Sequence, residues 1–274
     1  MIPRRNVELD LDPTVVPRDW YDGDPFVSSH LDALSLLFPE GERFFVDSVK
    51  QLRHLVDDPD LQRRIAGFIG QEAMHGKEHR AFNALIDAPG VERWLRGFLQ
   101  GVVRRVLSPR SQLAVTAALE HFTAMMAESL LRRPSMREPM HDEVAPLWLW
   151  HALEESEHKA VAFDVYVASR GGYLRRVAIM LLATVIFIVV AFSVQGHLLA
   201  RRGALWRPWR WLRGLTRLYV WPGEYTRLIP AYLDYFRPGF HPDDRDTTAL
   251  IETWREALFG DGGALAGHLR GEAA

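Results

Sequence analysis

The sequence predicts an all-α protein, a bundle of four long helices followed by further apolar and amphipathic helices. Four segments repeat apolar residues at intervals of three and four, and no segment of comparable length alternates with the period of a strand. Glutamates and histidines also fall inside those apolar stripes, where a soluble helix ordinarily places only aliphatic residues. Residues 1–38 carry Pro3, Pro13, Pro17 and Pro25 without sustained periodicity and read as an extended or loosely helical lead-in. The first helix is expected from Pro39, with Glu42, Phe45, Val49, Leu52 and Val56 on one face and a stop at Asp57, Asp58 and Pro59. The second runs from about Pro59 to Ile86 through Leu61, Ile65, Phe68, Glu72, His75, His79 and Phe82. A shorter amphipathic piece, Val91 to Leu107, supplies a crossover. The third helix covers 110–132 with Leu113, Ala117, Glu120, Ala124, Ala127 and Leu131 in register, and Pro134 ends it. The fourth covers 144–168 with Val144, Trp148, His151, Glu155, His158, Ala162 and Val165, and Gly171 and Gly172 end it. The bundle is thus expected over 39–172 and a C-terminal helical segment over 173–274.

That last segment changes character. From Val177 to Val194 only Thr184 and Ser193 are polar, and Arg175, Arg176, Arg201 and Arg202 bracket the run. Eighteen apolar residues are near the lower limit for a bilayer span. Behind them arginines alternate with Trp206, Trp209, Trp211 and Trp221, a mixture suited to a membrane interface. A helix buried against the bundle is the alternative; the flanking arginines and tryptophans favour membrane association of 177–194. An amphipathic helix around 246–259 closes the chain.

Composition removes several chemistries. The 274 residues include no cysteine, so disulfides, thiolate metal sites and cysteine nucleophiles are absent together. The formal net charge of -2 gives no global attraction for nucleic acid, and no nucleic-acid-binding motif accompanies the basic-aromatic stretch. No apolar run follows Arg4 and Arg5, so the N-terminal portion is expected in the cytoplasm.

Two motifs carry the chemistry, Glu72-Ala-Met-His75 and Glu155-Ser-Glu-His158. A Glu and a His three apart on a helix share a face, so one helix can hand a carboxylate and an imidazole to one metal ion. Glu42 and Glu120, each isolated on an apolar stripe, are the expected bridging carboxylates. The order Glu, Glu-x-x-His, Glu, Glu-x-x-His is that of the ferritin-like di-metal bundle. Four buried carboxylates without compensation would each cost several kcal/mol, on the order of the penalty for unpaired ions, and metal cations remove that cost. The expected ligands are Glu42, Glu72, His75, Glu120, His151, Glu155 and His158. His151, one turn before Glu155, is expected as a third ligand to the Glu155/His158 metal. His79 and Glu154 are expected to support ligands from behind, and Glu154 competes with Glu155 because it lies four residues before His158. His121 points away from Glu120 and reads as packing.

The strings Phe38-Pro-Glu-Gly-Glu42-Arg-Phe-Phe, Gln71-Glu72-Ala-Met-His75, Glu120-His121-Phe-Thr-Ala124 and Trp150-His151-Ala-Leu-Glu-Glu155-Ser-Glu-His158-Lys resemble a bacterial family described as predicted metal-dependent hydrolases. The likeness runs from about residue 25 to 245. The His151, Glu155, His158 stripe is also similar, in ligand pattern alone, to di-iron arylamine N-oxygenases, whose second iron gains an extra histidine. Three functions follow as expectations. The first is an O2-dependent oxidoreductase, an oxygenase or oxidase acting on a small apolar substrate, with two transition-metal ions (iron, with manganese or zinc as alternatives) and an electron donor as partner. The second is a hydrolase in which the same two ions activate water. The third, a non-enzymatic iron-binding protein, leaves the C-terminal hundred residues without a role.

Overall fold

The computed structural model describes residues 2–270, and among them it is all-α, with helices joined by turns and no strand beyond two isolated bridges. Helix α1 spans Pro25–Leu52, well ahead of the expected start at Pro39. Asp24 explains the difference: its carboxylate accepts from the Phe26 and Val27 amides while Pro25 takes the first helical position, where no N–H is needed. Pro39 lies inside the helix. The first half is buried on every side from Pro25 to Leu36, with Ser28, Ser29, His30, Asp32 and Ser35 among the buried residues, which hides the helical period from an apolar pattern.

Helix α2 (Pro59–Asn83) is capped by Asp58 and ends one turn earlier than expected. The crossover is α3 (Val91–Arg96), a π-helical stretch Gly97–Val103 and one further turn, Arg104–Val106. Helix α4 (Pro109–Arg132) is capped by Ser108. The expected fourth helix is two: α5 (Ala145–His158) and α6 (Val161–Ala168), broken at Lys159 and Ala160 immediately after the last candidate ligand. Helix α7 (Tyr173–Arg201) extends beyond the apolar run at both ends; α8 (Leu212–Tyr219), α9 (Ile229–Asp234) and α10 (Thr248–Phe259) follow.

Helix α1 packs on α2 and α4 on α5, and the two pairs close on each other through α1 with α4 and α2 with α5. Helix α7 lies along α1 and α4. Apolar side chains gather at the two ends of the bundle. One cluster holds Phe44, Phe45, Val49, Ile65, Phe68, Leu113 and Val165. The other holds Leu34, Phe82, Leu130, Leu147, Trp150 and Leu153. Glu42, Glu72, Glu120 and Glu155 fall between these stretches on their four helices, so two dry cores enclose one polar layer. The N-terminal lead-in runs extended across α2, where Gly67 and Gly70 let it approach closely: a Cβ at Gly67 would sit 2.7 Å from Ile2.

Candidate metal centre

All seven expected ligand residues converge in that layer, and all are buried: Glu42, Glu72, His75, Glu120, His151, Glu155 and His158 expose 4% or less. Their ligand atoms fall into compact groups in which every atom lies within 4.8 Å of the others: Glu42 with His75 and His151, Glu72 with Glu120 and His158, and Glu72 with His75 and Glu155. The first two share no residue and form two half-sites.

The same donor atoms allow more than one grouping. Glu72 and His75, three residues apart on α2, fall in separate groups in the first two sets and together with Glu155 in the third. His151 joins Glu42 and His75, away from His158. Glu42 and Glu120 fall in different groups, and Glu72 belongs to two of the three. Glu155 Oε1 is 3.0 Å from His151 Nε2 and 3.8 Å from His75 Nδ1, while its Oε2 is 3.5 Å from His158 Nε2. Spacing along a helix fixes the shared face; the neighbouring helices decide which half-site each side chain enters.

The donor atoms are left without partners. Both carboxylate oxygens of Glu42, Glu72 and Glu120 lack hydrogen bonds, as do His75 Nδ1 and His158 Nε2. His158 Nε2 lies 3.1 Å from Glu72 Oε1 and 3.4 Å from Glu120 Oε2, close in distance but without the direction of a hydrogen bond. Leaving a buried polar atom unsatisfied is costly, so clustered exceptions call for an occupant. Nitrogen and carboxylate oxygen at this spacing suit iron, manganese or zinc. The donor set therefore fits metal.

Electrostatics agree. Burial, then the charge of Glu72, holds Glu42 well above the usual carboxylate range, and burial with the charge of Glu155 does the same to Glu120. Burial also opposes ionisation of Glu155 and His158, but their mutual attraction wins, holding Glu155 well below and His158 well above their ordinary ranges. Burial and the neighbouring His151 hold His75 well below the imidazole range, in the neutral form that a metal requires. Gly76 makes room: a Cβ there would approach Glu42 Oε2 to 3.2 Å.

Behind the histidines stands a hydrogen-bonded frame. Glu154 Oε2 lies 3.1 Å from His75 Nε2, directing Nδ1 into the cluster, so Glu154 supports His75 and does not replace Glu155. Arg5 Nη1 donates to Glu154 Oε1 at 2.9 Å and to Glu157 Oε2 at 2.8 Å. Gln71 Oε1 accepts from His158 Nδ1 at 2.9 Å, which fixes the tautomer that turns Nε2 inward. His79 Nε2 is 2.7 Å from His151 Nδ1, and its own Nδ1 is held by Ser35 at 2.8 Å. His121 bonds the Ala231 carbonyl at 3.0 Å, outside the cluster. Sequence reasoning missed Arg5, Gln71, Ser35 and Glu157. Gln71 left a signal, a polar residue beside Glu72 on a buried helix; Arg5 in the aperiodic lead-in left none.

Two cavities reach the cluster. A cavity of about 270 Å³ runs between α1, the π-helical crossover, α4 and α7, lined by apolar side chains except Glu42 and Thr123. A smaller one, about 60 Å³, reaches His151 and Glu155 from the side of Trp148 and Tyr225. Phe38, Thr123 and Met126 border both.

Fold and site together define an all-helical protein with a buried glutamate–histidine cluster of metal-binding chemistry. Residues 3–246 match the model of a family described as predicted metal-dependent hydrolase, and the chain belongs to that family. No curated protein and no solved structure matches it.

Proposed function

We propose that the protein is a two-metal enzyme that hydrolyses an apolar substrate, with Glu42, His75 and His151 on one ion, Glu120 and His158 on the other, and Glu72 and Glu155 between them. The observation that carries this reading is the set of six unpartnered carboxylate oxygens facing histidine nitrogens in a dry core. The family description supports the hydrolytic direction. Bound divalent ions supply charge neutralisation, polarisation of a substrate carbonyl or phosphoryl oxygen, and acidification of water. The chain supplies the rest. The apolar cavity excludes bulk water and holds the substrate's apolar portion, while Glu42 marks where that portion meets the centre. Thr123 Oγ1 is bonded to Glu155 and to the Glu120 carbonyl, and is placed to orient a polar group arriving through the cavity. Phe38 and Met126 separate the two approaches and restrict the reacting group to a narrow passage.

A second reading is an O2-dependent oxidation by a di-iron form with an external electron donor. One observation favours it: the cavity has no polar lining, beyond Glu42 and Thr123, to conduct water or a charged leaving group. Turnover separates the two. Zinc- or manganese-loaded protein that cleaves acyl esters without oxygen supports hydrolysis. Oxygen uptake by the Fe(II)-loaded protein with a reductant, and no cleavage under nitrogen, would replace it with oxidation.

A further inference from the structure

The fate of α7 and the mouth of the larger cavity are one question. The inner face of α7 is buried on the bundle through Ile179, Met180, Ala183, Val194 and Leu198. Polar anchors hold it there. Arg176 donates to the Tyr235 and Arg237 carbonyls at 2.7 and 2.8 Å, Gln195 Nε2 to the Phe26 carbonyl at 3.1 Å, and Arg202 to Ser29 and Asp32. A helix fixed lengthwise to a globular bundle cannot also cross a bilayer. Its outer face is nonetheless wholly uncharged from Ala178 to Ser193, roughly 23 Å at the helical rise. Leu181, Leu182, Val185, Ile188, Val189 and Phe192 all stand exposed there, Val185 at 60%.

Neighbouring segments extend this face. Phe192 touches Tyr219, which leads to exposed Val220 and Trp221. Thr184 bonds Tyr232 on α9, beside exposed Leu233. Leu182 shares the cavity wall with Val102 and Val106 of the crossover, and these three exposed residues form the cavity mouth. A continuous apolar surface of this kind marks an interaction site. Charge identifies the occupant. The run from Tyr173 to Gly223 holds eight arginines and no aspartate or glutamate; Arg201, Arg202, Arg210 and Arg213 pair with aspartates outside it, and the others have no carboxylate partner among the described residues. Exposed Trp206 and Trp209 lie among them, and Arg105, Arg175 and Arg207 on its rim make no salt bridge among the described residues. Apolar centre, tryptophan and unpaired arginine at the edge are the composition of a helix lying in the headgroup region of an anionic bilayer.

We propose that the outer face of α7, with the crossover turn and Trp221, docks flat on an anionic lipid bilayer, and that the cavity opening in this face draws an acyl or isoprenoid chain directly from the membrane to Glu42. The substrate half of this proposal rests on the two-metal reading; the docking half does not. Bilayer entry explains why a cavity leading to a charged centre is mouthed by Val102, Val106 and Leu182 rather than by polar groups.

Flotation of the full-length protein with extruded vesicles of phosphatidylcholine and phosphatidylglycerol tests docking. Wild type should float with the vesicles, and Val185→Glu/Val189→Glu should lower the bound fraction about tenfold or more without changing melting temperature or metal content. Arg175→Glu/Arg207→Glu should weaken flotation on the mixed vesicles and little on pure phosphatidylcholine. Wild type that stays at the bottom of the gradient overturns docking. So does a wild-type dimer that the two glutamates dissociate, which would assign the face to a second copy. The cavity is tested by cis-parinaric acid fluorescence with Gly41→Leu. Gly41 lines the cavity beside Glu42, and a Cβ there meets nothing within 4 Å. This variant should float normally yet bind the chain at least about tenfold more weakly; unchanged binding overturns the entry route. Metal analysis of the same samples reads the two-metal proposal separately, because neither flotation nor chain binding requires the ions.

Discussion

The ligand layer and the outer face of α7 invert the usual distribution of polarity in opposite ways. The first buries four carboxylates whose oxygens are largely unpartnered; the second exposes a charge-free row of Leu, Val, Ile and Phe. Each is costly in the isolated chain, and each would become ordinary if completed from outside, as proposed, by cations in one case and by an apolar medium in the other. The contrast also separates what the fold needs from what the function needs. Removing a charge from the layer should relieve strain in the metal-free chain, whereas adding one to the face should leave the fold untouched.

The largest effect expected from breaking this contrast is loss of metal. Glu72→Ala removes a carboxylate placed in both the Glu120/His158 and the His75/Glu155 groups. It should abolish stable loading, measured by elemental analysis. Chelation of the wild type should lower its melting temperature by about 5–10 °C, the shift expected for ions held at ~100 times their dissociation constant. Equal melting of the loaded and chelated protein would mean that the ions contribute nothing to the core.

Next comes the frame behind the ligands. Glu154→Ala leaves His75 Nε2 without its partner and Arg5 without half of its own, and metal affinity should fall roughly 10–100-fold by titration. An unchanged affinity would reduce Glu154 to packing.

A third prediction concerns the seam between the bundle and α7. Burial holds His30, bonded to Gln195 of α7 and to Tyr225, down at about 4. The unfolded chain takes up a proton near the normal imidazole value while the folded chain does not, so this group stabilises least at low pH. Stability is lost as pH falls from about 6.5 towards 4. Relative to His30→Asn, the wild type should lose about 2 kcal/mol between pH 7 and 5 in urea unfolding. Parallel curves for the two proteins would show that His30 takes up its proton as readily in the fold as in the unfolded chain.

The smallest effect belongs to the exposed face. Val185→Glu alone should change stability by no more than about 0.5 kcal/mol, as for other surface positions. A loss above ~2 kcal/mol would mean that the face is covered in the isolated protein.

The buried cluster is legible because carboxylates and imidazoles interrupt apolar stripes at fixed intervals, a pattern with few packing explanations. The grouping of its residues is not. Which half-site His75 or His151 enters depends on the helix opposite, and a three-residue interval carries no information about it. The start of α1 is hidden by the buried Ser28, Ser29, Asp32 and Ser35, and by Pro25, which suggests a loop until Asp24 makes it the first helical position. Arg5 was illegible for a different cause: its role is set by contact with Glu154 across 149 positions of sequence. The apolar run in α7 was plain, yet hydropathy alone could not show that one side is anchored to the bundle by Arg176 and Gln195.

Whether one buried cluster holds two ions is open to a single measurement. Anaerobic reconstitution with Fe(II), Mn(II) or Zn(II), followed by desalting and elemental analysis of wild type and Glu72→Ala side by side, tests it most directly. The wild type should retain close to two ions per chain with at least one metal, and the variant should lose a substantial share. A wild type that retains none, or a Glu72→Ala protein that loads as the wild type does, would contradict it.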